Sequence, residues 1–167
     1  MNSKIFWYEA FDFVFVCVFG TLLHFLYDWT NLLIFAPISA VNESTWEHMK
    51  ILYIPCFTFA IIQSFSPTFK IKGFFNTKLF AMGLSTAFIP IAFYTINGAL
   101  FKTPFYVDIL LFYIAALLNS LLSYFAVIKL NIKAKSGVYG LIGALLILLA
   151  FITFTFCPPA LPIFISP

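Results

Sequence analysis

Charge is what this chain has least of. Only 9% of its 167 residues are Asp, Glu, Lys or Arg, and 63% are hydrophobic; an ordinary soluble domain carries about 25% charge. A soluble chain of this size cannot hide so much apolar surface, so lipid has to be the solvent for most of it. Arginine is absent. The net charge of +3 comes from nine scattered lysines, which is too weak and too dispersed for nucleic-acid binding. Heavy use of Phe, Ile, Lys and Asn without Arg fits an AT-rich bacterial genome. Cys17, Cys56 and Cys157 are far apart and form no Cys-x-x-Cys pair, which argues against a thiolate metal site or a disulfide framework. They read as small buried hydrophobes. No nucleotide-binding loop, nucleophile elbow or haem motif is present. No internal repeat supports an inverted-repeat transporter. Lys4 precedes an apolar run as in a signal peptide, but no small-x-small cleavage site follows it closely, so the run reads as an uncleaved first span.

The apolar runs predict an all-α fold: a polytopic membrane helix bundle of about five transmembrane helices in a single domain over residues 1–167. The spans are expected at Phe6–Tyr27, Thr45–Gln63, Leu79–Ile96, Phe105–Ile128 and Val138–Phe156. Glu9 and Asp12, near the beginning of the first, are expected near the membrane surface. Trp7, Tyr8, Tyr27 and Trp29 bracket that span as interfacial aromatics do. Ser44-Thr45-Trp46-Glu47 fits a capping box at the start of the second span. Pro55 and Pro90 predict kinks that neighbouring helices accommodate in a membrane. Asn119, Ser120 and Ser123 are placed to hydrogen-bond between helices, and Gly140 and Gly143 to let helices approach closely. The proline-rich tail after Cys157 cannot continue a helix.

The polar residues that remain are concentrated in two stretches, His24–Trp29 and Ala40–Lys50. They hold both histidines and three of the six acidic residues. His24 and Asp28 are four apart, as are Glu43 and Glu47, and Ser44 and His48, so each pair shares a helix face. The first two spans are antiparallel and joined by a short loop, which brings their ends together. Imidazole with carboxylate is a normal ligand set for zinc or another divalent metal. The candidate metal ligands are His24, Asp28, Glu47 and His48. Asn42, Glu43, Trp46 and Asp108 are the candidate ligand-binding residues around them. The same groups suit general acid–base work. Structural readings stand beside these. Glu47 completes a capping box, Glu43 suits the helix dipole, Trp29 and Trp46 suit interfacial anchoring, and Lys50 snorkels or pairs with a carboxylate one turn away. Asp108 also suits a helix start.

The run Phe35 to Lys50, ending Val41-Asn42-Glu43-Ser44-Thr45-Trp46-Glu47-His48-Met49-Lys50, resembles the signature of a family of small multi-spanning bacterial membrane proteins. This is the domain-of-unknown-function family numbered 6512. His24-Phe25-Leu26-Tyr27-Asp28-Trp29 is similar to its other motif, and Pro158-Pro159-Ala160-Leu161-Pro162-Ile163-Phe164 to its tail. The resemblance covers nearly the whole chain and implies no particular activity. Three functions stay open: a metal-dependent membrane hydrolase, a transport or binding module for an ion, small molecule or lipid head group, and a structural accessory protein.

Lysine placement predicts the orientation. Lys4, Lys70, Lys72, Lys78, Lys129, Lys133 and Lys135 fall on the N-terminal side of a five-span arrangement, and only Lys50 and Lys102 do not. The positive-inside rule then puts the N-terminus in the cytoplasm and the C-terminus outside. Reporter fusions at Lys72 and Lys133 should read cytoplasmic and one at Lys102 should not; an external reading at Lys72 reverses the orientation.

Overall fold

A computed structural model of the chain describes residues 2–70, 73–100, 104–130 and 137–166. Five α-helices account for most of it: α1 (Asn2–Thr30), α2 (Thr45–Ser64), α3 (Phe74–Leu100), α4 (Phe105–Phe125) and α5 (Val138–Phe156). There is no strand among the described residues. Lys72, Lys102, Lys133 and Lys135, on which the orientation rests in part, lie outside the described residues.

Four segments are long and apolar enough to cross a membrane: Ser3–Thr30, Phe74–Ala99, Tyr106–Ile128 and Val138–Phe156. The helix missing from this set is α2. It carries Glu47, His48, Lys50 and Gln63 as well as Pro55, which lowers its mean hydropathy. It is nevertheless the most enclosed helix, with 12 of its 20 residues buried, and it packs against each of the other four. The outer helices turn large apolar side chains outward instead, among them Phe11, Val14 and Val18 of α1 and Leu145, Leu146 and Leu149 of α5. A helix packed against all the others needs little lipid-compatible surface of its own, so α2 can carry Glu47, Lys50 and Gln63 buried among its neighbours.

Bare backbone makes the close approaches. Pro55 has no N–H, so the carbonyl of Ile51 loses its usual helical partner. A Cβ on Gly20 would lie 3.1 Å from that oxygen and 2.3 Å from Cζ of Phe112, so α1, α2 and α4 meet on this glycine. Gly140 does the same between α5 and α3: a Cβ there would stand 2.4 Å from the backbone of Phe75 and Asn76. At Gly143 it would meet Leu79 at 2.7 Å. Tyr53 adds a hydrogen bond from its hydroxyl to the Ala144 carbonyl, 3.0 Å, across the α2–α5 contact.

Several expectations change. Of the three cysteines expected to be buried only Cys56 is; Cys17 is half-buried and Cys157 exposed. Glu9 and Asp12 do not face outward: both are buried between the helices. Their burial follows from α3, which starts at Phe74 rather than Leu79 and so carries Lys78 inside the helix, with its ammonium 2.9 and 3.0 Å from the two Glu9 oxygens. Trp46 packs inside the protein, against Phe151, Phe154 and Phe164 at centroid distances of 4.7, 5.5 and 4.8 Å. The tail supplies the reason, since its short 3-10 turn Pro162–Phe164 folds back over this ring. Trp29 alone of the pair stays exposed.

The glycine contacts lead to a contrast. Gly140→Ala should cost about 1–3 kcal/mol through overpacking. Gly98→Ala, where an added Cβ meets nothing within 4 Å, should be neutral or stabilise by up to about 1 kcal/mol. Thermal unfolding of the two variants in detergent reads both, and equal midpoints would mean that α3 and α5 are not in close contact at Gly140.

Candidate functional site

The site is built where α1 ends and α2 begins. Asn31 closes α1 with a positive φ of 51°, a conformation asparagine tolerates better than most residues. The chain then doubles back along the helix it has just left. Ala40 N–H donates to the Leu23 carbonyl at 3.2 Å, and the Ser39 hydroxyl donates to the same carbonyl while accepting from Tyr27 N–H at 2.9 Å. Leu23 and Tyr27 are the two residues that an α-helix would join directly. A buried serine hydroxyl is inserted between them, on the turn that holds His24. This fastens the loop to α1 at the depth of the histidine.

The start of α2 is equally specified. Ser44 is its N-cap, and its hydroxyl accepts from Glu47 N–H at 3.4 Å. Asn42 accepts from Ser44 N–H at 2.9 Å and so forms the turn before the cap. The second half of the expected capping box is different. Glu47 reaches past Ser44 to the backbone N–H of Val41, 3.0 Å away, because Asn42 already satisfies Ser44.

These two fixed ends bring His24, Glu43 and His48 together. One potential ligand atom from each lies within 4.8 Å of the others. His24 Nε2 is 3.8 Å from one Glu43 oxygen and His48 Nε2 is 3.6 Å from the other, while the imidazole rings stand 5.3 Å apart. Both distances exceed those of an N–H···O hydrogen bond. Two ligands of one tetrahedral zinc, each bonded at about 2.0–2.2 Å, are about 3.4 Å apart, so the three groups need only a small closure to share an ion. Glu43 is more than half exposed and can make that adjustment. His48 is oriented for it: its Nδ1 donates to the Ser44 carbonyl at 2.9 Å, which fixes the ring with Nε2 turned toward Glu43. Nδ1 of His24 is buried without a partner.

The remaining candidates divide. Asp108, at the start of α4, has a buried oxygen with no hydrogen bond and is close enough to His48 and Glu43 to interact electrostatically. Asp28 is exposed and near His24. Glu47 does not join the histidines. Its carboxylate is buried, 2.6 Å from Lys50 Nζ and 3.0 Å from the Thr155 hydroxyl. Lys50 in turn donates to the Ala36 carbonyl and to Thr155, each at 2.8 Å. This network ties α2 to the loop and to α5. Thr155 and Ser39 were not identifiable beforehand, since single hydroxyl residues in apolar or loop sequence carry no motif. Trp46 belongs to the aromatic cluster under the tail, and Asn42 to the turn. Glu47→Ala would strand a buried ammonium at Lys50, so about 3–5 kcal/mol of stability should be lost. Glu43→Ala, at an exposed position, should cost less than about 1 kcal/mol. Chemical denaturation in mixed micelles compares them, and similar losses would contradict the division between the two carboxylates.

No curated protein and no solved structure matches the chain. A family model described as a family of unknown function (DUF6512) matches residues 2–166. Its reach over nearly the whole length agrees with the resemblance carried by the His24–Trp29 and Asn42–Lys50 motifs, and the chain belongs to the DUF6512 family.

Proposed function

We propose that the protein is a single-domain, multi-pass membrane protein that holds a divalent cation, zinc by preference, between His24, Glu43 and His48 at one end of the bundle. The observation that supports this is the convergence of two imidazoles and a carboxylate, each with a ligand atom within 4.8 Å of the others. Charge supports it as well. Glu43, Asp28 and Asp108 surround two histidines, and the nearby Lys50 is already committed to Glu47, so the cluster is electron-rich and attracts a cation. Mixed nitrogen and oxygen donors favour zinc over calcium or magnesium, which take oxygen ligands. Three protein ligands leave a fourth position on the metal for water or a substrate group. That arrangement suits hydrolysis of a lipid or peptide bond, or capture of a polar head group. Asp108 is the residue that would close the fourth position if the site only stores or passes the ion.

Zinc binding to protein purified in detergent, followed by calorimetry and by metal analysis after dialysis, tests this. One zinc per chain is expected. His24→Ala, His48→Ala and Glu43→Gln should each weaken binding by more than the about 10–100-fold that second-shell changes cause. Affinity should fall on acidification, because imidazole ligates only when neutral. A chain that takes up no metal, or three variants with unchanged affinity, would leave the cluster a structural one that locks α1 to α2.

A further inference from the structure

A second polar layer lies toward the other end of the bundle, in residues that the candidate site does not use. Asp12 is nine residues along the apolar segment that begins at Ser3, about 14 Å into it at 1.5 Å per residue. Around it stand Glu9 on the same helix, Gln63 of α2, Lys78 of α3 and Asn119 of α4, all 3% exposed or less. Lys78 donates to both oxygens of Glu9 at 2.9 and 3.0 Å. Its ammonium also lies 5.9 and 5.8 Å from the rings of Phe69 and Phe74, in a cation–π arrangement. Gln63 donates to Glu9 at 3.3 Å and Asn119 to Asp12 at 3.0 Å.

The layer is short of both positive charge and hydrogens. Among the described residues two carboxylates face one ammonium, which leaves an excess of one negative charge in a buried place. Asp12 follows Glu9 by three residues on α1, one turn along the same face, yet its Oδ1 is buried with no partner, as are Gln63 Oε1 and Asn119 Oδ1. Two ionised carboxylates cannot hydrogen-bond to each other, and sharing a site forces one of them to hold a proton. Glu9 is engaged by Lys78, so the proton belongs on Asp12. Among the described residues Lys78 is the cation that acts on Asp12 as well as on Glu9, while Cys17 of α1 and Cys56 of α2, which also interact with Asp12, supply no positive charge.

We infer that Asp12, backed by Glu9, Lys78 and Asn119, is an intramembrane proton-binding site: at neutral pH Asp12 is a carboxylic acid that donates its hydrogen to Glu9. Binding neutralises the layer and release leaves it with one net negative charge. The protein therefore has a proton-dependent state in its membrane interior, separate from the His24–Glu43–His48 cluster.

Infrared spectroscopy of the protein in lipid vesicles, with all aspartates carrying a 13C carboxyl carbon, tests the assignment without any knowledge of the activity. At pH 7 the wild type should show the carbonyl stretch of a protonated aspartate, displaced by the label and shifted again in D2O. Asp12→Asn should abolish it. If that variant does not fold, the Asp28→Asn/Asp108→Asn double variant leaves Asp12 as the chain's one aspartate and should retain the band. A wild type with no protonated-aspartate band would overturn the proposal and would fit a metal cation held by an ionised Asp12. A band that survives Asp12→Asn, or disappears from the double variant, would overturn it too.

Discussion

A helix carrying Glu47, His48, Lys50, Pro55 and Gln63 is too polar to face lipid, and the rest of the structure depends on keeping α2 out of it. The other four helices surround it, at the cost of exposing their own apolar faces, which in a bilayer is no cost at all. Glycine provides the closeness that this wrapping needs, through Gly20 against the Ile51 carbonyl and Gly140 against the backbone of α3. Enclosure then determines the electrostatics. The buried charges on α2 pair with each other, Lys50 with Glu47, and neighbouring elements supply the remaining acceptors, Ala36 of the loop and Thr155 of α5. The contacts of Lys50 with the loop and with α5 are a direct consequence of where this helix sits.

Much of this was legible in the amino-acid sequence. Composition called for lipid, and apolar runs bounded by polar loops called for five helices, because spans are long and their hydropathy is averaged over many residues. Ser44 was legible because a cap is a local device, decided by backbone donors within one turn. The Glu9–Lys78 pair was not. Its members are 69 residues apart, and each by itself resembles a residue at the membrane surface. Local sequence can say that a charge is costly in lipid, but only the packing of α1, α2 and α3 says which charge offsets it. Trp46 was misread for the same reason, since the Phe164 that covers it belongs to the tail.

The candidate site shows the same limit at finer scale. Both histidines and all the surrounding carboxylates stood out as polar residues in an apolar chain. Helical spacing alone, however, treats Glu43 and Glu47 as equivalent neighbours of His48. They are separated by backbone detail. Asn42 occupies the Ser44 N–H, Glu47 is thereby directed inward to Val41 and Lys50, and Glu43, left on the loop, is the carboxylate that meets the imidazoles.

The two polar layers differ from the Glu47–Lys50 pair in one respect that bears on function. That pair is balanced, one carboxylate to one ammonium, and its hydrogen-bonding atoms are engaged. The other two layers hold more carboxylates than lysines among the described residues: Glu43, Asp28 and Asp108 around two imidazoles at one end, and Glu9 with Asp12 against Lys78 toward the other. Burying or crowding excess negative charge is unfavourable wherever water is scarce, and a sequence selected for stability alone could remove it with an amide. Twelve residues, about 18 Å of helix, separate Asp12 from His24, with Val16 and Gly20 in the apolar stretch between. The excess of acceptors at both ends therefore leaves charge that the described residues do not pair within the chain.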